Sequence, residues 1–186
     1  MINKVIITDL AKAESYAFGG NNDFNVWITA IDEEDRHKIN RVKKLLSNKG
    51  VLHFAQYFYD WSDEDRDAFI IKNIETMGPQ LQHVNNIISF LEPIVQSEKI
   101  YNLGVNCFAG VSRSTAIGII ALVMSGKTPK EALDIIIGIR PMAWPNLRIL
   151  RFASERLGQD LATPVKEWKK VSSVELYKGA TGGWHC

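Results

Sequence analysis

The chain has 186 residues, 46% of them apolar and 23% charged, with a formal net charge of +1. That length suits one ordinary domain with a buried core, and so even a charge balance gives no argument for nucleic acid or an anionic membrane as partner. No apolar run approaches the roughly 18 residues of a membrane span, and the first residues lack a hydrophobic stretch of signal-peptide length, so a cytoplasmic protein is expected. Cys107 and Cys186 lie too far apart in sequence to suggest a disulfide framework, which leaves Cys107 as a free thiol. The four histidines, His37, His53, His83 and His185, have no metal-ligand spacing, and neither metal nor cofactor is expected.

In chain order, the short runs KVIITDL, FNVWITAI, VLHFAQYFY and IYNLGVNC are rich in β-branched and aromatic residues and bounded by polar or glycine-containing segments. They predict strands of a largely buried sheet. Between the second and third, EEDRHKINRVKKLLSNKG places Ile39, Val42, Leu45 and Leu46 at helical spacing, with Gly50 as a stop. The opposite face, with Arg36, Lys38, Arg41, Lys43 and Lys44, reads as solvated, because acidic residues precede it. Residues 79–96 carry a second apolar stripe that needs a sheet to lie against.

SRSTAIGIIALVMSG is apolar on every side, as a centrally packed helix should be, and Gly126 is a natural terminus. Two further helices follow: TPKEALDIIIGIR, with Thr128 as cap and Pro129 at the first helical position, and NLRILRFASERLG, capped by Asn146. Strand and helix alternating in this way predict an α/β domain with a mainly parallel central sheet of four or five strands, flanked by helices. One domain over 1–186 is expected, with its core at about 26–158. Residues 159–186 read as a C-terminal extension, either docked through Trp168, Leu176 and Trp184 or a partly mobile tail, since Gly179, Gly182 and Gly183 supply no anchor.

The chemistry concentrates in VNCFAGVSRSTAIG. A strand ending at Cys107 and a helix starting near Arg113 leave five residues to wrap. The amides of such a turn converge with the unpaired N–H groups of the helix start on one point that favours an anion. Gly110 allows the ring to close, Arg113 supplies a fork matched to two phosphate oxygens, and the helix terminus and the arginine together favour the thiolate of Cys107. A structural buried cysteine would need neither the glycine nor the arginine.

The run NCFAGVSRST resembles the phosphate-binding loop of the cysteine-dependent protein tyrosine phosphatases, C-x-x-G-x-x-R-S/T, and is close to the dual-specificity, bacterial-type branch. The resemblance implies a phosphatase-like fold, Cys107 as nucleophile forming a phosphocysteine, Arg113 as phosphate clamp and Ser114 as a hydrogen-bond donor to the departing sulfur. Phe108, Ala109, Gly110, Val111 and Ser112 complete the phosphate-binding loop, where phosphate, sulfate or vanadate would sit. The family most often has His before the nucleophile, whereas here Asn106 stands in a supporting position; Sac-type phosphoinositide phosphatases carry Asn at the equivalent place.

The family's general acid is an Asp on a mobile loop upstream. FYDWSDEDRDAF offers Asp60, Asp63, Asp65 and Asp67. Asp60, directly after the aromatic strand and beside a Trp61 that could shield it, is the choice; the others read as solvated or helix-starting acids. In RPMAWPN, Arg140, Pro141 and Asn146 are expected to pack behind the loop as structural residues.

The expected function is phosphomonoester hydrolysis, on phosphotyrosine or phosphoserine/threonine in proteins. The variable loop positions lack the Lys or Arg that a phosphoinositide or triphosphorylated RNA end would need. Three alternatives stay open: a phosphate-binding module without catalysis, a phosphatase of lipids, nucleotides or RNA ends, and another thiol enzyme such as a rhodanese-like sulfurtransferase or arsenate reductase.

Overall fold

The structure is a computed structural model that describes residues 1–19 and 23–181, with side chains described to residue 172. Trp184 and Cys186 lie outside the described residues, as does the side chain of Leu176. Among the described residues, β1 Ile2–Thr8, β2 Val26–Ile31, β3 Leu52–Tyr57 and β4 Tyr101–Asn106 form one sheet in the order β1-β4-β2-β3, with every pairing parallel. These are the four predicted runs. β1 pairs along β4 from Ile2, so the sheet starts well before residue 26.

Side-chain alternation sorts the residues of β2 and β4 between two layers. Val26, Ile28 and Ala30 of β2, with Leu103 and Val105 of β4, enter the larger core. Trp27 points to the other side, into a smaller cluster with Ala13, Ala17, Val42 and Leu46 from α1 Leu10–Phe18 and α2 Asn40–Asn48. On that side the Trp27 ring lies flat over Gly104 of β4, where an added Cβ would come within 2.2 Å of a ring carbon.

After α3 Ala68–Met77, the larger layer is built by α4 Leu81–Gln96, α5 Arg113–Met124, α6 Pro129–Ile139, α7 Leu147–Leu157 and α8 Ala162–Thr181. α5 is the buried helix that its apolar sequence predicted, enclosed from Arg113 to Val123. Thr128 caps α6 with a reciprocal bond to Glu131, and Asn146 caps α7. No helix among the described residues is long and apolar enough to cross a membrane.

The helix predicted from residue 33 starts differently. Glu33–Ile39 is a 3-10 helix and α2 begins only at Asn40. Asp32 stands at the N-cap but makes no capping bond, because its carboxylate is taken by Arg113. The basic face beyond it is met locally, with Arg36 paired to Glu33, Lys38 to Asp35, and Arg41 over the Phe18 ring. α1 and α3 went unpredicted as helices, although Asp9 and Asp67 cap them.

The chain leaves β2 toward α2 on one face and leaves β4 toward α5 on the other, so the crossovers diverge between these neighbouring strands. In open parallel sheets the crevice at the carboxyl ends of such a strand pair is where ligands bind. Cys107 follows β4 there, and Asp32 follows β2.

Candidate active site

Cys107 is buried, at 1% exposure, and its Sγ accepts the Gly110 N–H at 3.2 Å while lying 3.1 Å from Ser114 Oγ. Gly110 makes this turn with φ at +69°, and a Cβ there would press to 2.6 Å on the carbonyl carbon of Thr8. A glycine is required on both counts. The carbonyls of Ala109 and Gly110 accept from Arg140 Nη2 and Nε, each at 2.9 Å. With those carbonyls held by Arg140, the turn's amides other than that of Gly110, which is on Sγ, are left to an anion. Val111 O takes the Trp144 N–H at 2.9 Å and the Thr115 hydroxyl at 2.6 Å. Phe108 is exposed at the rim, with Lys38 Nζ 5.5 Å from its ring centre.

Arg113 is the first residue of α5 and is 2% exposed. Its Nη1 donates to Asp32 Oδ1 and to the Phe58 carbonyl, both at 2.6 Å. Nε is buried without a hydrogen-bond partner among the described residues and stands 3.7 Å from Asp60 Oδ2. One corner of the guanidinium is therefore clamped, while the Nε edge is left for two oxygens of an anion. Burial pushes the Asp32 carboxyl above its ordinary value, with the neighbouring Arg113 charge pulling the other way.

Asp60 follows β3 and reaches the same place. Its Oδ1 accepts from Ser112 Oγ at 2.6 Å and from Asn146 Nδ2 at 3.0 Å. Asn146 also donates to Trp61 O, while its Oδ1 caps α7 through the N–H groups of Arg148 and Ile149. The Trp61 ring stacks on Tyr59 and meets Phe69 edge-on. Of the other candidate acids, Asp63 pairs with Arg148, Asp65 accepts from Ser62 N–H and Asp67 caps α3.

Asn106 is fully buried beneath the loop. Its Oδ1 accepts from Trp27 Nε1 and Thr29 Oγ1, each at 2.8 Å, and its Nδ2 has no partner among the described residues. The indole N–H can only donate, which fixes the amide's orientation. Thr29, having given its proton to Asn106, accepts from His53 Nε2 at 3.0 Å. His53 is accordingly neutral; burial, with help from the Lys43 charge, holds its pKa down at about 4.

The structure thus brings Cys107, Arg113, Ser114 and Asp60 together around the turn 108–112, with Asn106 beneath it. Asp32 and the second contact of Asn146 were not foreseen as parts of the site, whereas Arg140 packs on the loop carbonyls as its expected place behind the loop required. The only sequence signal for Asp32 was its place at the end of a strand.

No known family profile and no curated protein matches the chain. Solved structures do. Tk-PTP, in its active form, is 17% identical, with a TM-score of 0.53 over 82% of this chain and 90% of its own. Human DUSP28 is 16% identical, with a TM-score of 0.54 over 81% and 86%. PTPMT1 is 18% identical, with a TM-score of 0.51 over 91% and 94%, and it has also been solved in complex with PI(5)P. By these alignments the chain has the fold of the cysteine-dependent, dual-specificity-type phosphatases.

Proposed function

We propose that the protein is a phosphomonoester hydrolase acting through a phosphocysteine, with phosphotyrosine or phosphoserine/threonine of proteins as substrate. The observation that carries the reading is the meeting of three groups at the carboxyl ends of β4, β2 and β3: a buried sulfur within hydrogen-bond reach of Ser114, the unpartnered Nε edge of Arg113, and the Asp60 carboxyl group. A sulfurtransferase would not need the last of these.

In the first step the Cys107 thiolate forms an S–P bond as the P–O ester bond breaks, and the Asp60 carboxylic acid gives its proton to the leaving oxygen. The Arg113 edge and the loop amides stabilise the equatorial oxygens. In the second step the Asp60 carboxylate takes a proton from water, which attacks phosphorus, and the S–P bond breaks while the Ser114 hydroxyl supports the sulfur's negative charge. Inorganic phosphate leaves, and the thiolate is restored.

The loop positions Phe108, Ala109, Val111 and Ser112 carry no cation, and of the cations beside them Lys38 lies over the Phe108 ring and Arg140 is engaged by loop carbonyls, which supports a phosphoprotein over a polyphosphorylated ligand. A single chain acting in the cytoplasm, without metal or cofactor, fits this reading.

Hydrolysis of an aryl phosphate by wild type, Cys107→Ser and Asp60→Asn tests it. Wild type should be active and vanadate-sensitive, and Cys107→Ser should lose on the order of 10⁴-fold or more. Equal inertness of wild type and Cys107→Ser, with phosphate still bound, would establish a binding module instead. A wild type faster on PI(5)P than on phosphopeptides would move the substrate to lipids.

A further inference from the structure

The loop that carries Asp60 is tied down from outside the phosphate site. Asp63 accepts from Arg148 Nη1 at 2.9 Å and faces Arg151 Nη2 at 3.3 Å, both cations from α7. Arg148 is itself 3% exposed and holds Pro79 O and Glu75 as well. The next residue, Glu64, takes the ammonium of Lys169, from α8. Lys169 is 4% exposed, and its Nζ lies 4.9 Å over the ring of Trp144, the residue whose N–H bonds the phosphate-loop carbonyl of Val111. Its near-total burial is unusual for a lysine, and desolvation pulls its pKa down against the opposing pull of Glu64, Asp60 and Asp65.

An apolar residue at 169 would cover Trp144 without the cost of burying a charge, so packing alone does not explain a lysine there. What the charge adds is a hold on Glu64, four residues from Asp60. We propose that Lys169 is a positioning residue for the acid: through Glu64 on one side and Trp144 on the other, α8 sets the acid loop in register with the phosphate loop.

The proposal rests on the reading of Asp60 as general acid. A carboxyl group that must reach the leaving oxygen to about 3 Å loses effect when its loop drifts, while anion binding in the phosphate loop does not depend on it. The tether should therefore matter in proportion to how much the leaving group needs a proton.

The test compares Lys169→Met, Glu64→Gln and the double variant with wild type on two esters, one with a strongly activated phenol and one with an unactivated alcohol. The Glu64 side chain is 41% exposed, so its variant tests the tether without disturbing the buried place of Lys169. Each variant should lose about tenfold in kcat on the unactivated ester and little on the activated one. KM and vanadate inhibition should be unchanged, and the double variant should be no worse than either single one.

Trypsin cleavage after the exposed Arg66 should also quicken in all three variants. Cleavage at the wild-type rate in Lys169→Met and Glu64→Gln overturns the tether whatever the activities show. Equal losses on both esters with weakened vanadate binding also overturn it, in favour of general destabilisation. An inert wild type whose variants are nonetheless cut faster would sink the phosphatase reading and leave the tether standing as a loop anchor.

Discussion

The two loops of the site are held in opposite ways. The phosphate loop is shaped mostly by its own backbone, with Gly110 at positive φ, an amide on the sulfur and a buried helix starting at its last residue; one side chain from outside, Arg140, holds its carbonyls. The acid loop is shaped by side chains reaching in from other elements, with Asn146 on Asp60 and Arg148 on Asp63. Backbone-built geometry is stiff and serves an anion whose oxygens must be met at fixed places. Side-chain-built geometry can be tuned or released one contact at a time, which is what the proposed role of Asp60 as general acid would ask of its loop.

The largest effect should come from disturbing the stiff loop. Gly110→Ala places a Cβ against the Thr8 and Asp9 backbone at a φ that alanine resists, so stability should fall by at least about 2 kcal/mol in a denaturant titration. Turnover should fall on the order of 10²-fold or more with vanadate affinity, on every ester alike. Retained vanadate affinity would show that the loop is not the rigid half.

Next comes the clamp on Arg113. Asp32→Ala removes one acceptor of Arg113 Nη1, leaving that nitrogen on the Phe58 carbonyl alone. The expected result is roughly tenfold weaker phosphate inhibition and a raised KM, with any loss in kcat the same for activated and unactivated esters. A change confined to the unactivated ester would assign Asp32 to the acid's side of the site.

Asn146→Ala should act on the acid loop only. It removes the cap of α7, worth about 1 kcal/mol, together with the amide that holds Asp60. Its kcat should drop several-fold on an unactivated ester and stay near wild type on an activated one; a matching drop in vanadate affinity would contradict the division of labour.

The smallest effect at neutral pH lies under the phosphate loop. His53 titrates near 4 in the fold against 6.5 unperturbed, so between those values the unfolded chain binds the extra proton and stability is lost as pH falls. Unfolding titrations should show a loss of roughly 1 kcal/mol between about pH 7.5 and 5.5 that Lys43 and burial account for, and His53→Gln should flatten that slope. A wild-type profile that is already flat there would show that His53 is not held neutral by its site.

Much of this was legible before any coordinates. The four strands announced themselves as β-branched runs, α5 as a helix apolar all round, and Cys107, Gly110 and Arg113 as a spacing that one turn can satisfy. Asp60 was singled out from its place after an aromatic strand, and its carboxylate lies 3.7 Å from Arg113 Nε. Asp32 was hidden because it sits 81 residues from Arg113 and opens a run of four acidic residues; only the adjacency of β4 and β2 distinguishes it from its neighbours. Asn146 was legible as a cap but not as a donor to Asp60, since a capping motif records local bonds alone. Lys169 lay in a stretch of weak periodicity, where a buried lysine and a solvated one are written the same way.

Gly104 and Trp27 carry a consequence for how the protein could change over time. The indole occupies the space that any larger residue at 104 would need, and the same indole supplies one of the two donors that orient Asn106 next to Cys107. A side chain gained at 104 would evict the ring, and losing the ring would strip Asn106 of a partner. The three positions form one packed unit, so a change at Gly104 or Trp27 should be felt at Asn106 as well.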